Sequence, residues 1–454
     1  MMLPISERMF RSLRCVGLLA LLGVLFGSVC VLDSRNAVAE DWLRFRGTTG
    51  TGVAPEGTKT PTEFSATQNV KWKEAIPGAG ASSPIVVGDK VILTCYTGYG
   101  QSREDIGEMD QLKRHVICYS KSDGSKIWQK DFDPHLPEDA FRGMGVPEHG
   151  YASSTPASDG TNVYVFFGKS GVIALDLNGE ELWTTNVGTG SGDRKWGSGA
   201  SPVIVGDTVV INATDESSSV VGLDKNTGKE LWRNEGITNV WGTPLAVGTG
   251  DDQSVVISVP KEVWAMDPAT GKLDWYSTNG VADSSVSSSP VLNGDNVIVM
   301  GGRSGTGLAV KLGGTKGADV TETHTVWKGK AVARIMTPVV YDGLMFGISR
   351  GVVTCAEAAT GEEVFKERLP SEAIGKSGGR RGPSSDYSSP VVSGGNIYQV
   401  LKNGTILVIA AKRDFELVSV NKLEDDGTEF NSTPAFSDNQ MFIRSNKYLY
   451  CIAE

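Results

Sequence analysis

The side chains that could do chemistry in this 454-residue chain are few and far apart. His115, His135, His149 and His324 are scattered, and Cys95, Cys118, Cys355 and Cys451 include no adjacent pair and no Cys-x-x-Cys spacing. Neither a zinc site nor a thiol redox motif is therefore expected. No P-loop and no His-Glu-x-x-His is present, and no segment assembles the convergent oxygens that calcium requires. These residues assign no catalytic group and no metal. What remains has the composition of a binding hot spot: His149, Tyr151, Arg194, Lys195, Trp196, Trp241, Arg334, Arg380, Arg381, Asp386 and Tyr387. Those positions are spread along the chain, so only a fold that returns repeatedly to one place could gather them.

The elements that would position them begin after residue 39. Arg8, Arg11 and Arg14 precede a single apolar stretch at 16–32, and Ala37-Val38-Ala39 offers small residues for a cut before Glu40. This is the pattern of a cleaved export signal, which places the chain in the periplasm, in the cell envelope or outside the cell. Val29 stands where a lipoprotein signal needs a small residue, so Cys30 is not expected to carry lipid. No segment of the mature chain could cross a membrane as a helix. With 39% hydrophobic residues the chain is not disordered, and its net charge of −10 argues against nucleic-acid binding by phosphate neutralisation. The 56 glycines, set among many Val and Ile, suggest a turn-rich all-β chain.

A repeat organises those strands. Ser or Thr followed by Pro and a short apolar run recurs at Ser83-Pro84, Thr155-Pro156, Ser201-Pro202, Thr243-Pro244, Ser289-Pro290, Thr337-Pro338, Ser389-Pro390 and Thr433-Pro434. A period of about 50 residues fits four short strands, here A to D, which make one propeller blade. The last copy stops after its third strand at Glu454, while the segment 69–73 looks like a fourth strand without a blade. If it completes blade eight, the ring closes and no open sheet edge is left there. The expected fold is an all-β, eight-bladed propeller of four-stranded antiparallel blades at 69–454, preceded by an extension at 40–68.

The segments Leu223-Asp224-Lys225-Asn226-Thr227-Gly228-Lys229-Glu230-Leu231-Trp232 and Met266-Asp267-Pro268-Ala269-Thr270-Gly271-Lys272-Leu273-Asp274-Trp275 resemble the tryptophan-docking motif of pyrroloquinoline-quinone (PQQ)-type propeller repeats. Their physics is structural: Asp and Thr satisfy turn donors, Gly supplies a left-handed φ, and Trp packs on the next blade. The chain also resembles secreted bacterial PQQ-like repeat proteins, through Trp42, Phe45-Arg46-Gly47 and Gly50 near its mature start. It is similar to the BamB-type propeller of outer-membrane assembly, which implies partner proteins held on loops or sheet edges and no catalysis. The quinone enzymes of this family imply the opposite: PQQ and calcium beneath an adjacent cysteine pair, a pair this chain lacks. A PQQ-dependent or saccharide-processing enzyme with its site in the channel is the alternative reading. Aligned to the repeat, Cys118, Cys355 and Cys451 share the strand C slot of Ala174, Gly222 and Ala265, so buried thiols are expected, with Cys95 and Cys118 as a pair that could bridge.

Alternating strand directions put the D–A and B–C connections on one face and the A–B and C–D turns on the other. The long connections 96–114, 133–150, 188–200 and 369–388 all belong to the first face, and 313–323 is an exception on the second. Because D–A loops enter the innermost strand, their last residues should line the channel mouth, which brings together the hot-spot set named above, with Phe430 and Asn431. Two readings fit those residues: the aromatic groups cap the channel and the arginines pair with carboxylates, or the set binds a ligand. Charge of both signs on that face favours an envelope polypeptide or a polar saccharide, bound by a monomer.

Overall fold

The computed structural model describes residues 41–454 except 279, 282–283, 302–303, 375–386 and 424–425. The chain divides into Met1–Val38 and Ala39–Glu454, and every described residue falls in the second. The export signal read at 1–39 lies outside the described residues.

Runs of Val, Ile and Leu broken by Gly-Asp, Asp-Gly and Thr-Gly turns form eight antiparallel sheets. Blade 3 is representative: Val203–Val205, Thr208–Ala213, Ser219–Asp224 and Glu230–Glu235 follow one another as strands A to D. Blade 8 takes Ala435–Ser437, Gln440–Arg444 and Tyr448–Ile452 from the C-terminus and Val70–Ala75 from the N-terminus. Val70–Ala75 pairs antiparallel with Tyr448–Ile452, so the ring closes within a blade, as expected from the truncated last repeat.

The repeat that revealed the fold also fastens it. Each Ser or Thr that precedes the strand A proline donates its backbone N–H to the hydroxyl of the equivalent residue in the next blade. The chain of bonds runs Ser83, Thr155, Ser201, Thr243, Ser289, Thr337, Ser389, Thr433 and back to Ser83, every one at 2.9 or 3.0 Å. A residue before proline is confined to extended backbone, which fixes the direction of that N–H. All eight are buried, so each N–H needs the partner it has.

A second set of joints lies at the outer edge. Strand D tryptophans Trp72, Trp128, Trp183, Trp232 and Trp327 each donate the indole N–H to a carbonyl in the C–D turn of the next blade, at 2.8–3.0 Å. Trp232 lies on Gly271, where φ is +68° and an added Cβ would sit 2.5 Å from the indole. The turn Asp does what its motif implies: Asp224 Oδ1 accepts from the Thr227 N–H and hydroxyl, both at 2.8 Å. Opposite each docking aromatic on strand C stands a small residue, as in Cys118↔Trp128, Ala174↔Trp183, Gly222↔Trp232, Cys355↔Phe365 and Cys451↔Trp72. A Cβ on Gly222 would lie 2.2 Å from Trp232, so the slot is small because the indole fills it. The four cysteines are buried free thiols, and burial pushes each up to about 12. Cys95 faces His115 and Cys118 faces Ile92, so the pair that could have bridged is out of register.

Two segments depart from the repeat. The exceptional connection at 313–323 supplies Ala318–Asp319, a fifth strand parallel to Leu273–Ser277 of blade 4, and with Val320 it covers Trp275. The N-terminal extension starts on the short-turn side, where Trp42 bridges Val86 of blade 1 and Val53 bridges Val392 of blade 7, and then follows the outer strand of blade 7 to its end, where Ser65 bridges Lys422. Between them Arg46, 1% exposed, donates to the carbonyls of Thr337 and Pro338 at 2.7 Å and of Thr51 at 2.8 Å.

Candidate functional site: a cup on the propeller axis

The eight innermost strands surround a cavity of about 390 Å³, and all eight hydroxyl residues of the inner joint line it. Each hydroxyl accepts one N–H, and its own proton has no acceptor among the described protein atoms. Phe45 forms the floor. Beyond it lies a void of about 10 Å³ bounded by Arg44, Arg46 and strand A prolines. The floor stands on the short-turn side, because the adjoining Asp41 carboxylate accepts from Gly88 N–H in the A–B turn of blade 1. The channel is thus a cup that opens where the long D–A loops end.

Those loops form the rim. Trp196 and Trp241 pack on each other with ring centres 5.1 Å apart and planes at 38°. The Trp241 indole N–H donates to Gly197 O at 2.9 Å. Trp196 lies on Gly145, whose φ of +99° and lack of a Cβ let the indole approach; a Cβ there would be 2.3 Å from Cδ1. His149 Nε2 meets the Trp196 carbonyl at 2.9 Å, so that nitrogen carries the proton, and Nδ1 meets the Ser153 hydroxyl. Burial lowers the His149 pKa, which keeps the imidazole neutral with Nδ1 as acceptor. Ser153 Oγ is also 3.0 Å from the His149 carbonyl, so this pair clamps the loop. Glu148 bonds Arg103 in the B–C connection of blade 1 at 2.7 Å and Lys402 in the B–C turn of blade 7 at 2.8 Å, tying loop 133–150 across the mouth.

A buried ionic cluster supports the Trp196 loop. Arg114 pairs with Glu138 at 2.7 Å and Lys169 lies 3.6 Å from Asp139. Beside them Thr214–Ser217 carries Asp215 and Glu216, both buried. Desolvation, with the Asp139 charge second, pushes Asp215 up to about 7. Desolvation pushes Glu216 up to about 8, against the Ser198 hydroxyl that bonds its Oε1.

Of the residues expected at the mouth, His149, Trp196, Trp241, Arg334, Tyr387 and Asn431 line the cup. Tyr151 does not: it is 8% exposed, packs edge-on to Tyr96 at 5.4 Å and donates its hydroxyl to Asp139 O. The helical turn Val146–His149 and the bend at Gly150 rotate it into the core between blades 1 and 2. Arg194 stacks on Trp196 at 5.0 Å from outside the cup, Lys195 is exposed beside it, and Phe430 is fully buried against Tyr450. Arg380, Arg381 and Asp386 lie outside the described residues. Sequence reasoning missed Phe45, Met144, Arg350 and the hydroxyl ring. The signal for the ring was the Ser/Thr-Pro repeat, read only as a strand start. A Gly-x-Ser-x-Gly match at 347–351 puts Ser349 on the cup wall, but between two strands of one blade, without the strand-to-helix turn of a nucleophile elbow.

Of the donors that the quinone and calcium implied by the fold's enzymes would need, the described lining offers the Asn431 amide beside Arg334. The described lining holds no cysteine and no carboxylate, and the described residues contain no group of three His, Cys, Asp or Glu that could hold a metal.

No curated protein matches the chain. Solved structures do share its fold: BamB from Moraxella catarrhalis at 15% identity, covering 84% of this chain and 98% of that one, with a TM-score of 0.56. A europium-containing methanol dehydrogenase matches at 12% identity over 91% and 98%, TM-score 0.62, and the computationally designed Ika8 protein at 13% over 85% and 99%, TM-score 0.54. At such identities the likeness is one of architecture and spans BamB, a dehydrogenase and a design alike. The family match is more specific, covering residues 50–190 and 112–367, and by it this PQQ-type repeat propeller belongs to the family described as outer membrane protein assembly factor BamB.

Proposed function

We propose that the chain is an exported, non-catalytic binding scaffold of the cell envelope, a monomer that holds a partner polypeptide on its long-loop face. The observation that carries this reading is the cup: floored by Phe45 and opening among loops that bring paired indoles, His149, Arg334 and Tyr387 to one rim. Loops on a rigid frame are the usual seat of recognition, and aromatic and arginine side chains dominate interface energetics. Family membership and the fold shared with BamB from Moraxella catarrhalis support a protein-binding role. The signal pattern at 1–39 supports export. Affinity capture from envelope extract tests the proposal. The wild-type chain is expected to retain a defined protein that Trp196→Ala and Arg380→Glu/Arg381→Glu variants lose. Reduction of a dye by the chain after incubation with PQQ and calcium would overturn it, as would identical capture by all three proteins.

A further inference from the structure

The wall of the cup keeps hydrogen-bonding capacity of both kinds. A Ser or Thr hydroxyl has one O–H to donate and two lone pairs that accept. In each of the eight ring residues one lone pair is taken by the N–H of the preceding blade, which leaves one donor and one acceptor on every hydroxyl of a ring that lines the cavity. Asn431 adds an acceptor. It lines the cup at 8% exposure, its Nδ2 donates to Glu148 O at 3.2 Å, and its Oδ1 is buried with no donor among the described residues. Buried polar atoms are almost always hydrogen-bonded, so this oxygen points to an occupant of the cup. The rest of the wall includes the apolar surfaces of Trp196, Trp241, Met144 and Met336. A volume of about 390 Å³ is near the small end of ligand pockets, and the Phe45 floor makes the space blind.

A carboxylate only accepts and an ammonium only donates, so either would use half of what each ring hydroxyl offers. The group that uses both halves is another hydroxyl. Water does so too, but it gains nothing from indole and thioether surface. A sugar carries hydroxyls around its rim and C–H groups on its faces, and so matches the polar ring and the apolar wall together. We propose that the cup binds a short neutral saccharide, its hydroxyls shared among the Ser/Thr ring and Asn431 Oδ1 and a C–H face set against the wall formed by Trp196 and Trp241. This goes beyond the scaffold reading, which concerns a polypeptide on the loops around the mouth, and does not depend on it.

The test applies the full mature chain to an array of short neutral saccharides, and follows glucose, galactose, N-acetylglucosamine, maltose and cellobiose by titration calorimetry and tryptophan fluorescence. At least one neutral saccharide is expected to bind saturably, one per chain, with a Kd of about 1 mM or lower, and to shift the tryptophan emission. Asn431→Leu removes the free acceptor and should weaken that binding about tenfold. Trp241→Ala should weaken it and diminish the emission shift. Ser287→Trp fills the cup from a half-buried lining residue outside the bonded ring and should abolish binding. Thermal melts report whether each variant folds, and Ser287→Trp decides the matter should Asn431→Leu or Trp241→Ala fail to do so. No saturable binding by any neutral saccharide would overturn the proposal and leave the cup to water. Binding that survives Ser287→Trp would also overturn it, as would glucuronate or glucosamine binding about tenfold tighter than every neutral sugar, which would reveal a lining selective for charge. Protein capture from envelope extract is read separately: capture without sugar binding sinks this inference alone, and sugar binding without capture sinks the scaffold reading alone.

Discussion

The blades are joined twice, once near the axis and once at the outer edge, and the two joints tolerate change very differently. Near the axis every one of the eight contacts is the same bond between a backbone N–H and a hydroxyl. At the edge the indole-to-turn bond is found at Trp72, Trp128, Trp183, Trp232 and Trp327, while other solutions serve the rest. Trp275 is covered by the inserted segment that ends at Val320, Phe365 meets Phe415 edge-on at 5.7 Å, and on blade 7 Ser419 and Asn421 bond the carbonyl of Thr62 from the N-terminal extension. The difference follows from space. Extra chain can be laid over the outside of a propeller, whereas anything added beside the inner strands would enter the cup.

Substitutions can break or sharpen that contrast. Trp232→Ala removes a buried indole and its hydrogen bond and should cost the most, about 3–5 kcal/mol in chemical denaturation. A cost below 1 kcal/mol would mean that the outer joint is ornamental. Gly271→Ala forces a side chain into left-handed backbone beneath the same indole, and should cost roughly 1–3 kcal/mol by the same measurement. At the inner joint Thr155→Val keeps the shape but strands the buried N–H of Ser83, at about 1–3 kcal/mol, while Thr155→Ser keeps the acceptor and should be nearly neutral. Equal effects of Val and Ser would show that the ring is held by packing alone.

The acidic cluster that supports the Trp196 loop offers a gentler probe through pH. Asp215 and Glu216 are raised in the folded protein to about 7 and about 8, above the ~4 of an unfolded carboxyl. The folded chain therefore binds more protons than the unfolded one between those values. Their contribution is complete below the unfolded pKa and is lost as pH climbs through about 7 and about 8, so stability should decline from mildly acidic to mildly alkaline solution. Asp215→Asn with Glu216→Gln should flatten that decline in a series of thermal melts. The smallest effect belongs to the cysteines beneath the outer joint. With thiols pushed up to about 12 and fully buried, none of the four should react with a thiol reagent until the chain unfolds, when all four should.

Much of the fold could be read from local rules that repeat. The Ser/Thr-Pro spacing, the turn Asp and Gly, and the unpaired strand at each end of the chain specify eight blades and their closure. The site was legible only in outline, because it is built from contacts between residues remote in sequence. A hydroxyl before proline marks a strand start equally well whether or not its oxygen serves the next blade, so the ring was invisible one repeat at a time. Phe45 and Arg46 could be seen as a motif, but their place across the short-turn face depends on Arg46 reaching carbonyls nearly 300 positions later. Tyr151 failed for a local reason: proximity to His149 implied a shared direction, and one helical turn reversed it.

The inner bonds all point the same way round, donor to acceptor, from each blade to its successor. Such a circuit has no first member and keeps no count. Duplicating one period would bring one more N–H and one more hydroxyl, and every joint would still be satisfied. What limits the number must be the wedge angle between neighbours, set by what fills the outer joint: an indole on a glycine turn at five blades and other packing at the remaining three. The propeller therefore separates two kinds of inheritance: a link that any number of copies can share, and a spacer that decides how many copies meet.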